Sequence, residues 1–457
     1  MRRRKIILRS VLWLLLFVLI AGVWYAWKVF PLISGYGAKN LCSAVYLQHR
    51  DPKNVIREDL GDFPSTLGTY TLNEKDSSVT ASVWGFAKRK AIYRKGLGCT
   101  LINDFSEKEI RAQQFLLPHR PDVNSDSIAW PAGNKLADSI PPSIDKVALY
   151  NVLDSAMKEK NESKPVYTRA IIVVYDGQLI AERYAPGFDK NSVMLGWSVA
   201  KSFTGAMIGV LVTQGKLNIN APAPVPEWRN TKKQAITIKQ LLQQTSGLAF
   251  EEVYTRPSEV TNMLFNKGDM AAYAITRSLK YPPGTIFNYN GGNTNILSRI
   301  IRQTVGEKEY ASFPYKTLFY KTDMYSMLLE PDASGTYTAS SYCYGTARDF
   351  ARFGLLYYNN GKWNGEQLLP ENWVKESIQP SIADKRKHYG YQLWLNGLDK
   401  EGRHRWYPDV PADMFFADGY GGQDIYIIPS KKLVVVRLGL HVIDENKLLK
   451  DIISTLQ

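Results

Sequence analysis

Residues 195–211, LGWSVAKSFTGAMIGVL, constrain this chain more than any other stretch, because they are apolar on nearly every face of a helix. Such a helix is buried all round, so it belongs at the centre of a domain. Ser198 and Lys201 stand near its start, three residues apart. A lysine in the first turn of a buried helix is costly unless it has a partner or a chemical role. We therefore expect a folded domain built around this helix, with a polar site at its N-terminal end.

Ser198 and Lys201 form a Ser-x-x-Lys step that fits nucleophilic catalysis. At a helix N-terminus, the unpaired backbone N–H groups and the positive end of the dipole favour an alkoxide or oxyanion. Lys201 lies about one turn further on, so its ammonium can reach the Ser198 hydroxyl. A serine hydroxyl is a weak nucleophile at neutral pH, and a neighbouring base or cation activates it. The spacing therefore predicts Ser198 as a nucleophile and Lys201 as part of its activating group.

The same spacing also occurs at residues 143–146 and 155–158, so the motif alone is a weak signal. Those two copies fall in a stretch with charged residues at helical spacing, which is typical of an amphipathic surface helix. A plain core helix capped by Ser198 is the competing interpretation of the apolar stretch. That interpretation does not explain Lys201.

The N-terminal region predicts a membrane anchor. Residues 10–27, SVLWLLLFVLIAGVWYAW, carry no charge and are long enough to cross a bilayer. Basic side chains before a span place its N-terminal side in the cytoplasm and send the rest of the chain across the membrane. Those preceding this run are Arg2, Arg3, Arg4, Lys5 and Arg9. Trp24, Tyr25 and Trp27 would form an aromatic belt at the far interface.

A cleaved signal peptide is the alternative to an anchor, but it needs a shorter apolar core and a small-x-small cleavage site, and AGVWYAWKVF offers no good one. We therefore expect residues 1–9 to be a cytoplasmic tail and residues 10–30 an uncleaved transmembrane helix. This topology predicts a single-pass protein of the bacterial inner membrane, with its C-terminal bulk in the periplasm.

Composition excludes several other classes of protein. The chain has 457 residues, 45% of them hydrophobic, and a net charge of +14, part of which belongs to the N-terminal tail. No nucleic-acid-binding motif accompanies this charge. The five histidines and three cysteines lack metal-ligand spacing, so neither a zinc site nor a histidine triad is expected. Cys42 and Cys99 could pair in an oxidising compartment, whereas Cys343 fits buried packing.

The chain pattern predicts two regions after the anchor. Residues 35–142 read as an N-terminal extension with a small β subdomain. Residues 143–457 begin with a helix and a hairpin around Asp176-Gly177, where glycine tolerates the positive φ of a tight turn. Helical patterns follow, including a capping box at Thr237, and then strands and a closing helix. Strands at both ends of this region indicate one sheet with an inserted helical subdomain.

Two later stretches complete the site. Tyr289 lies in PPGTIFNYNGGNTNIL, a loop rich in glycine and asparagine that leads into a helix, and FFADGYGGQDIYIIP is a glycine-dense edge that opens into a strand. With the Ser-x-x-Lys step, these motifs make residues 143–457 resemble the serine hydrolases of the β-lactamase and penicillin-binding-protein superfamily. The similarity is to the class C group, which includes esterases and 6-aminohexanoate-dimer hydrolases. It implies an α/β (α+β) fold, a β-lactamase/transpeptidase-like antiparallel sheet flanked by helices.

The resemblance also implies roles for individual residues. Ser198 and Lys201 match the first family motif, and Tyr289 matches the tyrosine of the second. A lysine beside a tyrosine favours phenolate, so Tyr289 would take the Ser198 proton. The backbone N–H groups of Ser198 and Tyr420 would form the oxyanion hole, and Gly419 would let backbone approach the substrate.

Two positions depart from the family pattern. Gly291 stands in place of the asparagine of the second motif. Residues 417–419 are Ala-Asp-Gly, which keep the glycine of the third motif and lose its cation. These departures favour esters or linear amides over β-lactams. Asn290, Glu252 and Tyr254 are further candidates for substrate contact, although a capped helix end and a solvated loop explain the segment from Thr245 onward equally well.

The sequence therefore predicts a membrane-anchored, extracytoplasmic serine hydrolase that cleaves an amide or ester through an acyl-enzyme on Ser198. The expected partners are a small or short peptide-like acyl substrate and the membrane, with no nucleic acid, metal or organic cofactor. Two alternatives remain at this level. The protein could be a sensor that is acylated by a β-lactam or cell-wall peptide without turnover, or a non-catalytic envelope scaffold. The sequence does not indicate an oligomeric state.

Overall fold

The computed structural model describes residues 2–159, 161 and 164–456. Met1 of the expected tail, and Lys160, Glu162, Ser163 and Gln457 of the expected hydrolase domain, lie outside the described residues. The chain forms two compact units. The first comprises Met1–Lys95, Cys99–Arg111 and Glu251–Gly268, and the second comprises Gly96–Gly98, Ala112–Phe250 and Asp269–Gln457.

The helices and strands are numbered along the whole chain. The helices are α1 Arg2–Tyr46, α2 Pro52–Glu58, α3 Glu107–Ala112, α4 Lys146–Met157, α5 Val199–Thr213, α6 Ile238–Leu242, α7 Glu259–Asn266, α8 Met270–Ile275, α9 Gly291–Val305, α10 Glu307–Tyr310, α11 Ala347–Tyr358, α12 Trp373–Ser377 and α13 Glu445–Ser454. The strands are β1 Gly68–Asn73, β2 Ser78–Val83, β3 Phe86–Arg94, β4 Gly98–Leu101, β5 Ala170–Tyr175, β6 Gln178–Tyr184, β7 Met194–Leu195, β8 Leu328–Leu329, β9 Cys343–Gly345, β10 Lys362–Trp363, β11 Glu366–Gln367, β12 Trp394–Leu395, β13 Phe415–Gly419, β14 Gln423–Ile428 and β15 Leu433–Leu438.

The first unit is organised around α1. Its N-terminal part is exposed and apolar, with a mean hydropathy of 2.6, and is long enough to cross a membrane. From Leu32 onward the same helix becomes buried, where it packs on β2 and β3. The expected anchor at residues 10–30 is therefore the first part of a longer helix whose second part is a core element of a folded unit.

The structure assigns two segments to other units than the sequence predicts. They are residues 251–268 and residues 112–142. Residues 251–268 contain α7, which packs on α1 in the first unit although its sequence lies inside the expected hydrolase domain. Residues 112–142 belong to the second unit. Both placements depend on contacts between segments distant in sequence, which local patterns do not encode.

Cys42 of α1 and Cys99 of β4 form a disulfide, with Cα atoms 6.1 Å apart. Both residues belong to the first unit and are fully buried. We expect non-reducing peptide mapping of the full chain to recover the two peptides as one cross-linked species, with Cys343 as a free thiol. Recovery of Cys42 and Cys99 as free thiols from the oxidised protein would contradict this pairing.

The second unit is built on an antiparallel sheet with the strand order β12-β13-β14-β15-β5-β6. The chain's last strands, β14 and β15, lie beside its early pair, β5 and β6, so both ends of the region form one sheet, as expected. Apolar side chains on one face pack with those of α4 and α13 into the core, and α11 packs on β5, β14 and β15. The expected fold class is confirmed.

Several local predictions are confirmed in this unit. Asp176 and Gly177 form the tight turn between β5 and β6, with φ angles of 47° and 82°. Thr237 caps α6 in a capping box with Gln240. Ser198 takes the N-cap position of α5, and the following helix is buried along almost its whole length.

Candidate active site

Ser198 is presented by a tight connection between β7 and α5. Trp197, directly before it, has a φ of 47°, which is uncommon for an aromatic residue. The N–H of Gly196 donates to the carbonyl of Cys343 at 2.8 Å, which fixes the start of this connection. In the described structure the Ser198 hydroxyl does not cap α5. Ser198 is half-buried, so its side chain remains available at the helix end.

The buried Lys201 side chain has hydrogen-bond partners at the start of α5 and on a neighbouring segment. Its side chain is only 2% exposed, and its Nζ donates to Ser198 Oγ at 3.0 Å and to the carbonyl of Ser340 at 3.0 Å. These contacts replace part of the hydration that burial removes. The ammonium is thus held against the hydroxyl that the sequence predicts to be the nucleophile.

Tyr289 lies beside the same ammonium. The Lys201 Nζ is 4.8 Å from the centre of the Tyr289 ring, within the range of a cation–π contact. The ring packs against Tyr389 and Trp394, with centroids 5.6 and 5.0 Å away. The structure therefore brings Ser198, Lys201 and Tyr289 together from α5 and the loop before α9.

Gln244 positions the Tyr289 loop and was not identified from the sequence. Its carbonyl accepts the N–H of Asn288 at 2.8 Å, and its side-chain oxygen accepts the N–H of Asn290 at 3.3 Å. The same oxygen accepts Asn293 Nδ2 at 2.8 Å. The two residues that flank Tyr289 are therefore both held by one buried glutamine. A glutamine after a short helix carries no sequence signal for this role, and neither does Ser340.

The edge of β13 lies against the Ser198 connection. β12 pairs with Phe415 and Phe416, and further along β13 the backbone of Gly419 approaches Gly196 so closely that a Cβ atom would lie 2.2 Å from the Gly196 carbonyl oxygen. The Tyr420 ring contacts the Trp197 ring edge-on, with centroids 5.9 Å apart. Residues 196–198 and 419–420 are therefore neighbours, as an oxyanion hole made by both segments requires.

Side chains from the sheet hold the turn after β13. Arg437 Nη1 donates to the carbonyls of Gly421 and Gly422, at 2.9 Å each. Gln423 Nε2 donates to the carbonyl of Tyr420 at 3.1 Å. These bonds fix the peptide groups next to the Tyr420 N–H, so Arg437 and Gln423 act as positioning residues for this edge.

The third family motif has Ala417 at the position of its cation and the acid Asp418 at its middle position. Burial, together with the charge of Glu445, raises the pKa of the Asp418 carboxyl above its usual range. Neither Ala417 nor Asp418 carries a positive charge, so this part of β13 offers no cation to an anionic substrate group. The loss of the motif's cation, seen in the sequence, therefore leaves this strand without a positive charge at these positions.

The other predicted site residues have separate positions. Asn290 is buried, and its side-chain oxygen caps α9 by accepting the N–H of Asn293 at 2.8 Å. Glu252 and Tyr254 belong to the first unit, where the Tyr254 hydroxyl donates to the Glu252 carboxylate at 2.9 Å. Substrate contact by these three residues stays a prediction. Cys343 is fully buried, and burial raises the pKa of its thiol.

Gly419→Ala tests the close approach of β13 to residue 196. The added methyl group would meet backbone, so it should displace the strand edge and cost about 1–3 kcal/mol of stability. We expect kcat/KM to fall by about tenfold to a hundredfold because the oxyanion donors move apart. Gly205→Ala on α5 is the control, since its Cβ would meet nothing closer than 3.2 Å. Equal activity of the two variants in an ester assay would contradict the arrangement.

Comparison with known proteins identifies the family and the fold of this chain. The Beta-lactamase family matches residues 153–439. A 6-aminohexanoate-dimer hydrolase from Paenarthrobacter ureafaciens is 25% identical over 287 residues, which are 59% of this chain and 72% of that protein. The structure of a candidate 6-aminohexanoate-dimer hydrolase from Bacillus anthracis superposes with a TM-score of 0.54 at 24% identity, over 70% of this chain and 86% of that chain. A family VIII carboxylesterase superposes with a TM-score of 0.53 at 14% identity, over 71% and 99% of the two chains.

The family match and the 6-aminohexanoate-dimer hydrolase relative, together with the antiparallel sheet, define a serine hydrolase of the β-lactamase and transpeptidase superfamily. The chain belongs to the beta-lactamase family, whose match covers more than half of its length. The class of enzyme and the family expected from the sequence are therefore confirmed.

Proposed function

We propose that this protein is a membrane-anchored, extracytoplasmic hydrolase that cleaves an ester or a linear amide through an acyl-enzyme on Ser198. The observation that carries the proposal is the buried Lys201 ammonium, 3.0 Å from Ser198 Oγ at the N-terminus of α5. A cation held against a half-buried serine hydroxyl at a helix N-terminus is the arrangement that activates a serine nucleophile.

The proposed reaction follows from these positions. Ser198 Oγ attacks the acyl carbonyl while Tyr289, kept as phenolate by the neighbouring Lys201 ammonium, accepts the hydroxyl proton. The backbone N–H groups of Ser198 and Tyr420 stabilise the developing oxyanion, a contribution often worth several kcal/mol. Tyr289 then protonates the departing alcohol or amine. In the second half of the reaction Tyr289 takes a proton from water, the water attacks the acyl carbonyl, and Tyr289 returns the proton to Ser198 Oγ as the acid leaves.

The lack of a cation at the edge of β13 indicates which kind of substrate the site accepts. Ala417 and Asp418 provide no cation for a substrate carboxylate such as that of a penicillin. The relative from Paenarthrobacter ureafaciens is described as a hydrolase of 6-aminohexanoate dimer, a linear amide. A neutral ester or an unstrained amide therefore fits this chain better than a β-lactam does.

A labelling experiment tests the proposal. The detergent-solubilised full chain is treated with a fluorophosphonate probe and assayed with p-nitrophenyl esters, short linear amides and nitrocefin. We expect covalent labelling that Ser198→Ala abolishes, together with steady turnover of an ester or amide. Labelling with one stoichiometric burst and no turnover would indicate the acylated sensor instead, and absence of labelling would indicate the scaffold.

The anchor gives a separate prediction of topology. The apolar part of α1 follows the basic tail, and its buried second part carries Cys42, so the span is continuous with a disulfide-bonded unit. We expect alkaline phosphatase fused after residue 457 to be active in bacteria, and green fluorescent protein fused there by the Sec route to be dark. Fluorescence without phosphatase activity would place the bulk of the chain in the cytoplasm and contradict the proposal.

A further inference from the structure

The turn between β2 and β3 presents aromatic side chains to solvent next to the end of the apolar part of α1. Trp84 and Phe86 are 67% and 68% exposed. Trp84 contacts Phe30 of α1 edge-on, with ring centroids 5.3 Å apart. Phe30 lies about one helical turn beyond Trp27, the last aromatic residue of the expected interfacial belt.

The backbone of this turn makes the tryptophan unexpected. Trp84 and Gly85 have φ angles of 51° and 82°, as in a two-residue turn that asparagine or aspartate followed by glycine favours. Two other tight turns of this chain have a similar pair of positive φ angles, and there the first residue is Asp176 or Asn364. A bulky aromatic residue in this conformation is strained and exposes a large apolar surface to water.

The direction of α1 places this turn at the membrane side of the first unit. Phe30, near the span, contacts the β2–β3 turn, whereas Tyr46 at the other end of α1 donates to the carbonyl of Asn73 at 3.2 Å. Strands β1–β4 form one sheet in the order β1-β2-β3-β4, and Asn73 ends β1 just before the β1–β2 turn, at the other end of β2 from Trp84. Phe30 and Tyr46 are sixteen positions apart along α1, which corresponds to about 24 Å. The sheet therefore has one end near the span and one end far from it.

We infer that the β2–β3 turn is a second membrane contact, in which Trp84 and Phe86 insert into the lipid interface beside the end of α1. Transfer of a tryptophan or phenylalanine side chain to this depth is favourable, because the apolar ring leaves water. Lys28 and Lys88 are exposed near the same end and suit the anionic headgroups of the bilayer. The inference rests on the proposed anchoring by α1, and it adds that the folded unit is fixed against the bilayer rather than free on a tether.

Lipid quenching of a fluorophore tests this contact. The full chain is reconstituted into vesicles of phosphatidylethanolamine and phosphatidylglycerol with brominated acyl chains, and an environment-sensitive dye is attached to Phe86→Cys. The matched control is Lys75→Cys, in the turn at the far end of the same sheet. We expect a blue-shifted emission and about twofold or greater quenching at position 86 relative to position 75. Equal quenching at the two positions would overturn the inference.

Trp84→Asn in the Phe86→Cys background separates lipid contact from folding. We expect the quenching to fall while the melting temperature stays unchanged or rises, because asparagine suits the turn better than tryptophan does. A clear loss of thermal stability would mean that packing on Phe30 explains Trp84, and would overturn the inference. An alkaline wash of the vesicles distinguishes the two proposals. Release of the chain from the vesicles would contradict both the anchor and the turn contact. Retention of the chain without quenching at position 86 would contradict the turn contact alone.

Discussion

Lys201→Ala and Tyr289→Phe should each lower kcat by about three or more decades, nearly as much as Ser198→Ala, and the double variant should be no worse than either single variant. The three side chains meet at one point, with the Lys201 Nζ 3.0 Å from Ser198 Oγ and 4.8 Å from the Tyr289 ring centre. Residues that share one proton-transfer step act as a unit, so losing any one of them already stops the step. Steady-state kinetics with the best ester or amide substrate measures this.

Thermal melts show whether the losses are catalytic. Tyr289→Phe removes only a hydroxyl, and Lys201→Ala removes a buried charge, so both variants should melt at or above the temperature of the native chain. Tyr357→Phe is the matched control, because it removes a hydroxyl from a buried tyrosine of α11 outside the site. Near-native turnover by Tyr289→Phe, with an inactive Ser198→Ala, would show that the tyrosine is structural and that Lys201 in its neutral form is the base.

The parts of the fold that follow from short-range patterns were predictable. The hairpin at Asp176-Gly177 requires a backbone conformation that glycine permits, and the capping box at Thr237 satisfies helix N–H groups within a single turn. The buried helix after Ser198 is visible because its apolar residues leave no polar face. In each case the physical cause lies within a few residues of the element.

Long-range placement was not predictable from the same patterns. α7 packs with α1 in the first unit although more than two hundred residues separate them, and nothing in the sequence of α7 identifies that partner. Gln244 and Ser340 each accept a hydrogen bond at the site through a backbone carbonyl, which every residue has. Gln244 also accepts one through its side-chain amide oxygen, which several other polar residues could replace. Their roles depend on where the backbone passes, so residue type alone gives no signal.

Substrate choice carries the other large effect. We expect neutral p-nitrophenyl esters or linear amides to exceed nitrocefin in kcat/KM by about two to three decades, the difference that a lost charge-assisted pair to a carboxylate produces. The cause is the β13 edge, where Ala417 stands in place of the cation of the third family motif and provides no charge to pair with a carboxylate. A matched pair of esters sharpens the test, because p-nitrophenyl butyrate and the p-nitrophenyl monoester of succinate differ mainly in a carboxylate. The neutral ester should be preferred, Ser198→Ala should abolish turnover of both, and a faster reaction with nitrocefin than with every ester and amide would show that this edge does accept an anionic β-lactam.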